Sequence, residues 1–192
     1  MELRGERLIP APLNTTWAAL NDPQILQACI AGCESLERTG DDAFAAVVAV
    51  KVGPVSARFK GNVRMTNIQA PNGYTINFDG QGGVAGFGKG SADVSLISEE
   101  ALTRLKYTAR ATVGGKMAQI GSRLIDATAA KMTDDFFKAF EGQLGPRLAD
   151  GTASASTAEG TVVKPAATSG IRALWWSGAA AVALAAIYFL MR

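Results

Sequence analysis

One change of hydrophobic period governs what this chain can fold into. From Glu34 to Val113 apolar residues recur at every second position, and after Gly114-Gly115 they recur about every 3.6 for some thirty residues. A period of two sends alternate side chains to opposite faces of a strand, whereas 3.6 gathers them on one stripe of a helix. The clearest strand is 55–65, where Val55, Ala57, Phe59, Gly61, Val63 and Met65 share one face and Ser56, Arg58, Lys60, Asn62 and Arg64 the other. In 44–52 the face is Phe44, Ala46, Val48, Val50 and Val52, and Gly53-Pro54 supplies the turn between the two strands. Pro71-Asn72-Gly73 closes the next hairpin into Tyr74, Ile76 and Phe78. Later Leu105, Tyr107, Ala109, Ala111 and Val113 alternate with Arg104, Lys106, Thr108 and Arg110. A sheet apolar on one face and a helix apolar on one stripe must cover each other.

The helical stripe is read as Met117, Ile120, Leu124, Thr128, Met132, Phe136, Ala139 and Phe140. Before the strands, 2–9 reads as a first strand ended by Pro10 and Pro12. Asn14 offers an N-cap for a short helix carrying Trp17 and Leu20, and 24–30 makes a second. The expected fold class is therefore α+β: a curved antiparallel sheet of about seven strands wrapped on a long C-terminal helix, with two short helices after the first strand.

Three domains are expected: a folded unit over 1–144, a flexible linker over 145–171 and a membrane anchor over 172–192. In the linker 19 of 27 residues are Gly, Ala, Ser, Thr or Pro, a composition that stays flexible. The nineteen residues from Ala173 to Met191 carry no charge. As a helix they would span roughly 28 Å, close to a bilayer's hydrocarbon thickness. Trp175 and Trp176 stand at one end and Tyr188 and Phe189 at the other, where amphipathic rings favour interfaces. MELRGERLIPAP has no apolar h-region, so the expected location is the inner membrane, with a single C-terminal transmembrane helix and the folded domain cytoplasmic.

Composition narrows the chemistry. The chain has no histidine, the usual general base and commonest metal ligand, so triads and zinc centres are not expected. Cys29 and Cys33 form a C-x3-C pair without further soft ligands, which reads as packing rather than metal or redox chemistry. No catalytic and no metal-ligating residue is expected. A net charge of +2 does not argue for nucleic acid, and the outward Lys51, Arg58, Lys60, Arg64, Arg104, Lys106 and Arg110 lack interleaved aromatics. That face is solvated by default; clustered, it would suit anionic headgroups or an acidic partner.

Several stretches resemble the G-subunit family of carbon monoxide dehydrogenase over about 140 residues: Ala31-Gly32-Cys33-Glu34-Ser35-Leu36, Lys51-Val52-Gly53-Pro54-Val55, Phe59-Lys60-Gly61-Asn62-Val63, and above all Gly114-Gly115-Lys116-Met117-Ala118-Gln119-Ile120-Gly121-Ser122-Arg123-Leu124-Ile125 followed by Phe136-Phe137. Ala31 departs from the family's usual proline before Gly-Cys. The resemblance implies the helix-grip fold of the START-like and polyketide-cyclase-like superfamily. It also implies a non-catalytic, membrane-associated accessory protein that binds a hydrophobic small molecule, menaquinone or ubiquinone. Such a protein would couple a molybdenum hydroxylase of the carbon monoxide dehydrogenase type to electron transport at the lipid bilayer.

A prenylated quinone needs a largely apolar cavity. The candidate cavity residues are Phe59, Val63, Phe78, Phe87, Leu105, Tyr107, Met117, Ile120 and Leu124; the same residues serve equally as plain core. Gly61, Ala109, Ala111, Gly121, Ala127 and Ala130 would leave volume among them. Gly80–Gly90 nominally contains G-x-G-x-x-A but is followed by a strand, so a dinucleotide loop is not expected. It reads either as a flap tipped by Phe87 or as a hairpin bent at its glycines. A cyclase or aromatase enzyme using the same cavity is the alternative function, and a membrane clamp with a filled cavity a third.

Overall fold

The computed structural model describes the backbone of residues 1–151 and the side chains of residues 1–145. Seven strands, β1 (Glu2–Ile9), β2 (Cys33–Gly40), β3 (Ala43–Val52), β4 (Val55–Gln69), β5 (Gly73–Gln81), β6 (Phe87–Glu99) and β7 (Leu102–Gly114), form one antiparallel sheet. Its order is β1-β7-β6-β5-β4-β3-β2. Strands β2 to β7 thus follow one another through hairpins, while β1 and β2 lie on opposite edges. The connection between those edges carries α1 (Leu13–Ala19) and α2 (Pro23–Cys29), and α3 (Ser122–Gly151) follows β7.

Burial follows the pleat. Along β3 the inward set Phe44, Ala46, Val48, Val50 and Val52 is buried, and along β4 so are Phe59, Val63 and Met65. Register shifts between Thr66 and Gln69, and twice in β2, bend the sheet locally. The β4–β5 turn contains a cis Ala70–Pro71 bond. On α3 the buried residues are Ile125, Ala129, Met132, Thr133, Phe136, Phe137, Phe140 and Leu144. Phe136 stacks on Phe140 with centroids 5.8 Å apart and meets Phe137 edge-on at 5.4 Å, arrangements favoured by the ring quadrupole.

Four expectations are corrected. Asn14 does not cap α1: Pro12 occupies the N-cap with no side-chain bond, whereas Asp22 caps α2, its Oδ1 accepting from the N–H groups of Gln24 (2.9 Å) and Ile25 (3.4 Å). The helical stripe does not begin at Met117. Residues Ala118–Ile120 form a separate 3-10 turn, and Gly121, at φ +95°, interrupts the chain before α3 starts. A stripe counted through that break lands out of phase, so Leu124 is 43 % exposed while Ile125 is buried. The helix also continues to Gly151, past the expected linker start at 145. Finally, the expected fold included a transmembrane helix. Among the described residues no helix is long and apolar enough to cross a membrane, so these residues form the helix-grip sheet and C-terminal helix and include no such span. The segment assigned to it, 172–192, and the linker beyond 151 lie outside the described residues.

Candidate functional site

The space between the sheet's inner face and α3 is lined by apolar side chains and closed at one end by glycine-rich backbone. Phe59, Val63 and Phe78 come from adjacent strands β4 and β5, where Val63 and Phe78 are register partners, and Leu105 and Tyr107 from β7. All of them, with Met117, are buried in one continuous core. Among the described residues the buried polar side chains are Thr16, Asn21, Thr103 and Thr133; no carboxylate, lysine or arginine is buried. Nor does any group of acidic residues and cysteines there have the makings of a metal site.

Two phenols belong to this interior, Tyr74 of β5, which meets Trp17 edge-on, and Tyr107 of β7. The Tyr107 hydroxyl lies across Gly5 of β1, where a Cβ would collide with it, and its ring packs on Phe137 at 5.8 Å. Burial raises its pKa, and the Arg7 guanidinium acts weakly in the opposite direction. Arg7 itself sits 5.6 Å over the Phe137 ring and pairs with Asp134 at the helix surface. Burial pushes the Cys29 and Cys33 thiols up to about 11. Burial thus disfavours the thiolate form that nucleophilic chemistry uses.

The closed end is built from the β3–β4 turn, the 3-10 turn Gly83–Ala85 and the segment joining β7 to α3. Gly53, Gly83, Gly86, Gly115 and Gly121 all have positive φ, and all five lie here. Two of them interlock: a Cβ on Gly86 would strike the Gly114 carbonyl oxygen, and one on Gly115 would lie 2.5 Å from the Gly86 Cα. The Met117 N–H donates to the Ala85 carbonyl at 3.0 Å and pins the two segments together. Gly82 rests directly on the Phe59 ring, which is fully buried as a result.

The nine sequence candidates divide on this geometry. Phe59, Val63, Phe78, Leu105, Tyr107 and Met117 share the interior, and Ile120 is half-buried against it. Phe87 and Leu124 do not belong to it. Phe87 is 39 % exposed with its ring over Gly114, and Leu124 faces outward against the Gly53 turn. Of the small residues expected to leave volume, Gly61 and Ala109 are buried, but Gly121, Ala127 and Ala130 are exposed. The dense glycines of 80–90 and 114–121 are the sequence signal for the interlocked end, and either segment alone shows only half of it.

A second feature has no signal in the alternation pattern. An open hollow of ≈ 980 Å³ crosses the middle of the sheet, lined by Asn62-Val63-Arg64, Asn77-Phe78-Asp79, Lys89-Gly90-Ser91 and Arg110-Ala111-Thr112 with Met1, Glu2, Thr39, Ala43 and Phe44. Asn62, Arg64, Asn77 and Asp79 flank Val63 and Phe78, which point inward, so the hollow lies on the outer face and the middle residues form its floor. No α3 residue lines it. Four of the seven outward cations are neutralised, Arg58 by Glu34, Arg104 by Glu99 and Glu6, Lys106 by Glu6, and Arg110 by Glu2, whereas Lys51, Lys60 and Arg64 take part in none of the ion pairs among the described residues. The carboxyls of Glu6 and Glu99 are held below their usual range by hydrogen bonds from Arg104, and that of Glu2 by hydrogen bonds from Arg4 and Arg110.

Solved structures share this architecture. A protein from Geobacillus kaustophilus is 31 % identical over 76 % of this chain and 96 % of its own, with a TM-score of 0.72. A Thermus thermophilus protein is 18 % identical over 77 % and 99 %, with a TM-score of 0.57. Zhui aromatase/cyclase from a Streptomyces species is 13 % identical over 77 % and 95 %, with a TM-score of 0.59, a likeness of fold alone. No curated protein sequence matches the chain. Residues 5–145 match the CoxG family, described as the G subunit of carbon monoxide dehydrogenase, and with its helix-grip fold the chain belongs to that family.

Proposed function

We propose that this domain binds a hydrophobic small molecule, a respiratory quinone of the menaquinone or ubiquinone type, between the sheet and α3, and thereby couples a molybdenum hydroxylase of the carbon monoxide dehydrogenase type to electron transport at the cytoplasmic face of the inner membrane. The observation that carries this reading is the chemistry of the interior. It is a continuous apolar surface from Phe59 to Met117 with no buried carboxylate, lysine or arginine among the described residues, which suits a mostly hydrocarbon ligand. The partner follows from the family, whose members are described as a component of carbon monoxide dehydrogenase.

The aromatase/cyclase neighbour makes an enzyme the second reading. Proton-transfer catalysis needs a positioned acid or base, and here the interior offers phenols, Tyr74 and Tyr107, the latter with its pKa raised further from neutrality, and no carboxylate, lysine or arginine among the described residues. The non-catalytic reading is therefore the one supported. The residues of the interior are buried against one another, so a ligand enters by displacing them, and the proposed entry is the glycine-rich end, where turns rather than sheet or helix cover the core. Extraction of the full-length protein, purified from a quinone-producing bacterium, should release a near-equimolar quinone detectable by mass spectrometry. Val63→Trp, which overfills the interior, should reduce that yield severalfold. A chain that carries no quinone and takes none up when it is added contradicts the proposal.

A further inference from the structure

The end that closes the interior is also an exposed apolar end. Val84 on the 3-10 turn is 86 % exposed, and Phe87 at the start of β6 and Leu124 in the first turn of α3 are exposed on the connections at the same end of the sheet. Two of them are tied to this end by named contacts: Leu124 lies against the Gly53 turn, and the Phe87 ring lies over Gly114, next to the Gly86–Gly115 interlock. Exposing Val84 to water has no counterpart in the packing of the domain, and its neighbours in the turn are glycine, alanine and glutamine.

Charge supplies the second observation. Lys51 precedes the Gly53 turn, Lys116 precedes Met117, and Arg123 precedes Leu124; all three are exposed, and the ion pairs among the described residues involve none of them. Asp126, one turn along α3, is the acidic residue closest to them in sequence. The contrast with the β1–β7 side is sharp, since Arg104, Lys106 and Arg110 there all have glutamate partners. Apolar tips and cations outside the ion pairs, carried on the same set of connections, match the headgroup boundary of an anionic leaflet, where buried apolar area and attraction to acidic lipid act together.

We propose that this end docks peripherally on an anionic lipid bilayer, with Val84, Phe87 and Leu124 entering the headgroup region and Lys51, Lys116 and Arg123 contacting lipid phosphates. The proposal deepens the reading of the interior as a ligand site, because docking end and entry end coincide. It is tested with quinone-free vesicles, so it stands or fails apart from ligand binding. Hydrogen exchange of the full-length protein should slow in peptides covering 82–87 and 116–125 when vesicles of phosphatidylcholine with phosphatidylglycerol are added, and not with phosphatidylcholine alone. Reading exchange peptide by peptide separates this contact from any made by residues 152–192. Each charge reversal, Lys51→Glu, Lys116→Glu or Arg123→Glu, should weaken the protection-derived affinity by about fivefold or more, with an unchanged thermal midpoint showing that the variant is folded. Unchanged exchange at 82–87 and 116–125, equal protection by neutral vesicles, or protection there by an acidic protein but not by vesicles would overturn it.

Discussion

Thr103 shows how one side chain seats an entire helix. Its hydroxyl donates to the Ala11 carbonyl at 2.8 Å and receives the Thr16 hydroxyl at 3.1 Å, and Thr16 also reaches Ala11 at 3.2 Å. Both threonines are fully buried. The network ties α1, which follows two prolines and has no side-chain cap, to β7 in the centre of the fold. Thr103→Val keeps the shape and removes the donor, leaving the Ala11 carbonyl with the longer bond alone. The expected loss is about 1–2 kcal/mol of folding stability, read as a lower urea midpoint at unchanged slope. A variant as stable as the parent would show that water replaces the hydroxyl.

At the scale of elements, the interlocked glycines separate two kinds of substitution. Gly83 and Gly115 both have positive φ, but a Cβ on Gly83 meets nothing within 4 Å whereas one on Gly115 meets the Gly86 backbone. Gly83→Ala should therefore cost about 1 kcal/mol, the ordinary penalty of a left-handed alanine. Gly115→Ala should cost clearly more and loosen the 82–86 turn from Met117, because backbone cannot yield as a side-chain tip can. Thermal midpoints with exchange at the Met117 amide check both. Equal midpoints for the two variants would mean that the interlock is not structural. Alternation makes most strands legible in the sequence, since a pleat fixes which side chain turns inward and Gly53-Pro54 and Pro71-Asn72-Gly73 mark the turns; β2, in which only Leu36 is buried, carries no such alternation. The start of α3 is not legible, because helical periodicity carries no mark of the break at Gly121, and a stripe counted through it puts Leu124 on the wrong face. The apolar interior of the candidate site is readable from inward positions such as Phe59 and Leu105. Its closure is not, because Gly86 and Gly115 are distant in sequence and only the β6–β7 register brings them together.

At the scale of the molecule, two places compete for a ligand. The interior between sheet and α3 is apolar and closed, whereas the hollow across the outer face is open, polar-walled and larger than a quinone head requires. Dispersion and hydrophobic burial favour the first for a prenylated ligand, at about 25 cal/mol per Å² of apolar surface removed from water. Docking of the glycine-rich end on a bilayer would deliver such a ligand to the interior without exposing it to water. Methionines happen to mark both places. Met117 and Met132 face the interior, and Met1 lines the outer hollow. The measurement that decides is a methionine-methyl NMR titration of the full-length protein with a short-chain menaquinone. Binding in the interior predicts that the Met117 and Met132 methyls shift and saturate near one equivalent while Met1 stays in place. A saturable shift of Met1 with Met117 and Met132 unmoved would put the ligand on the outer face and contradict the interior site.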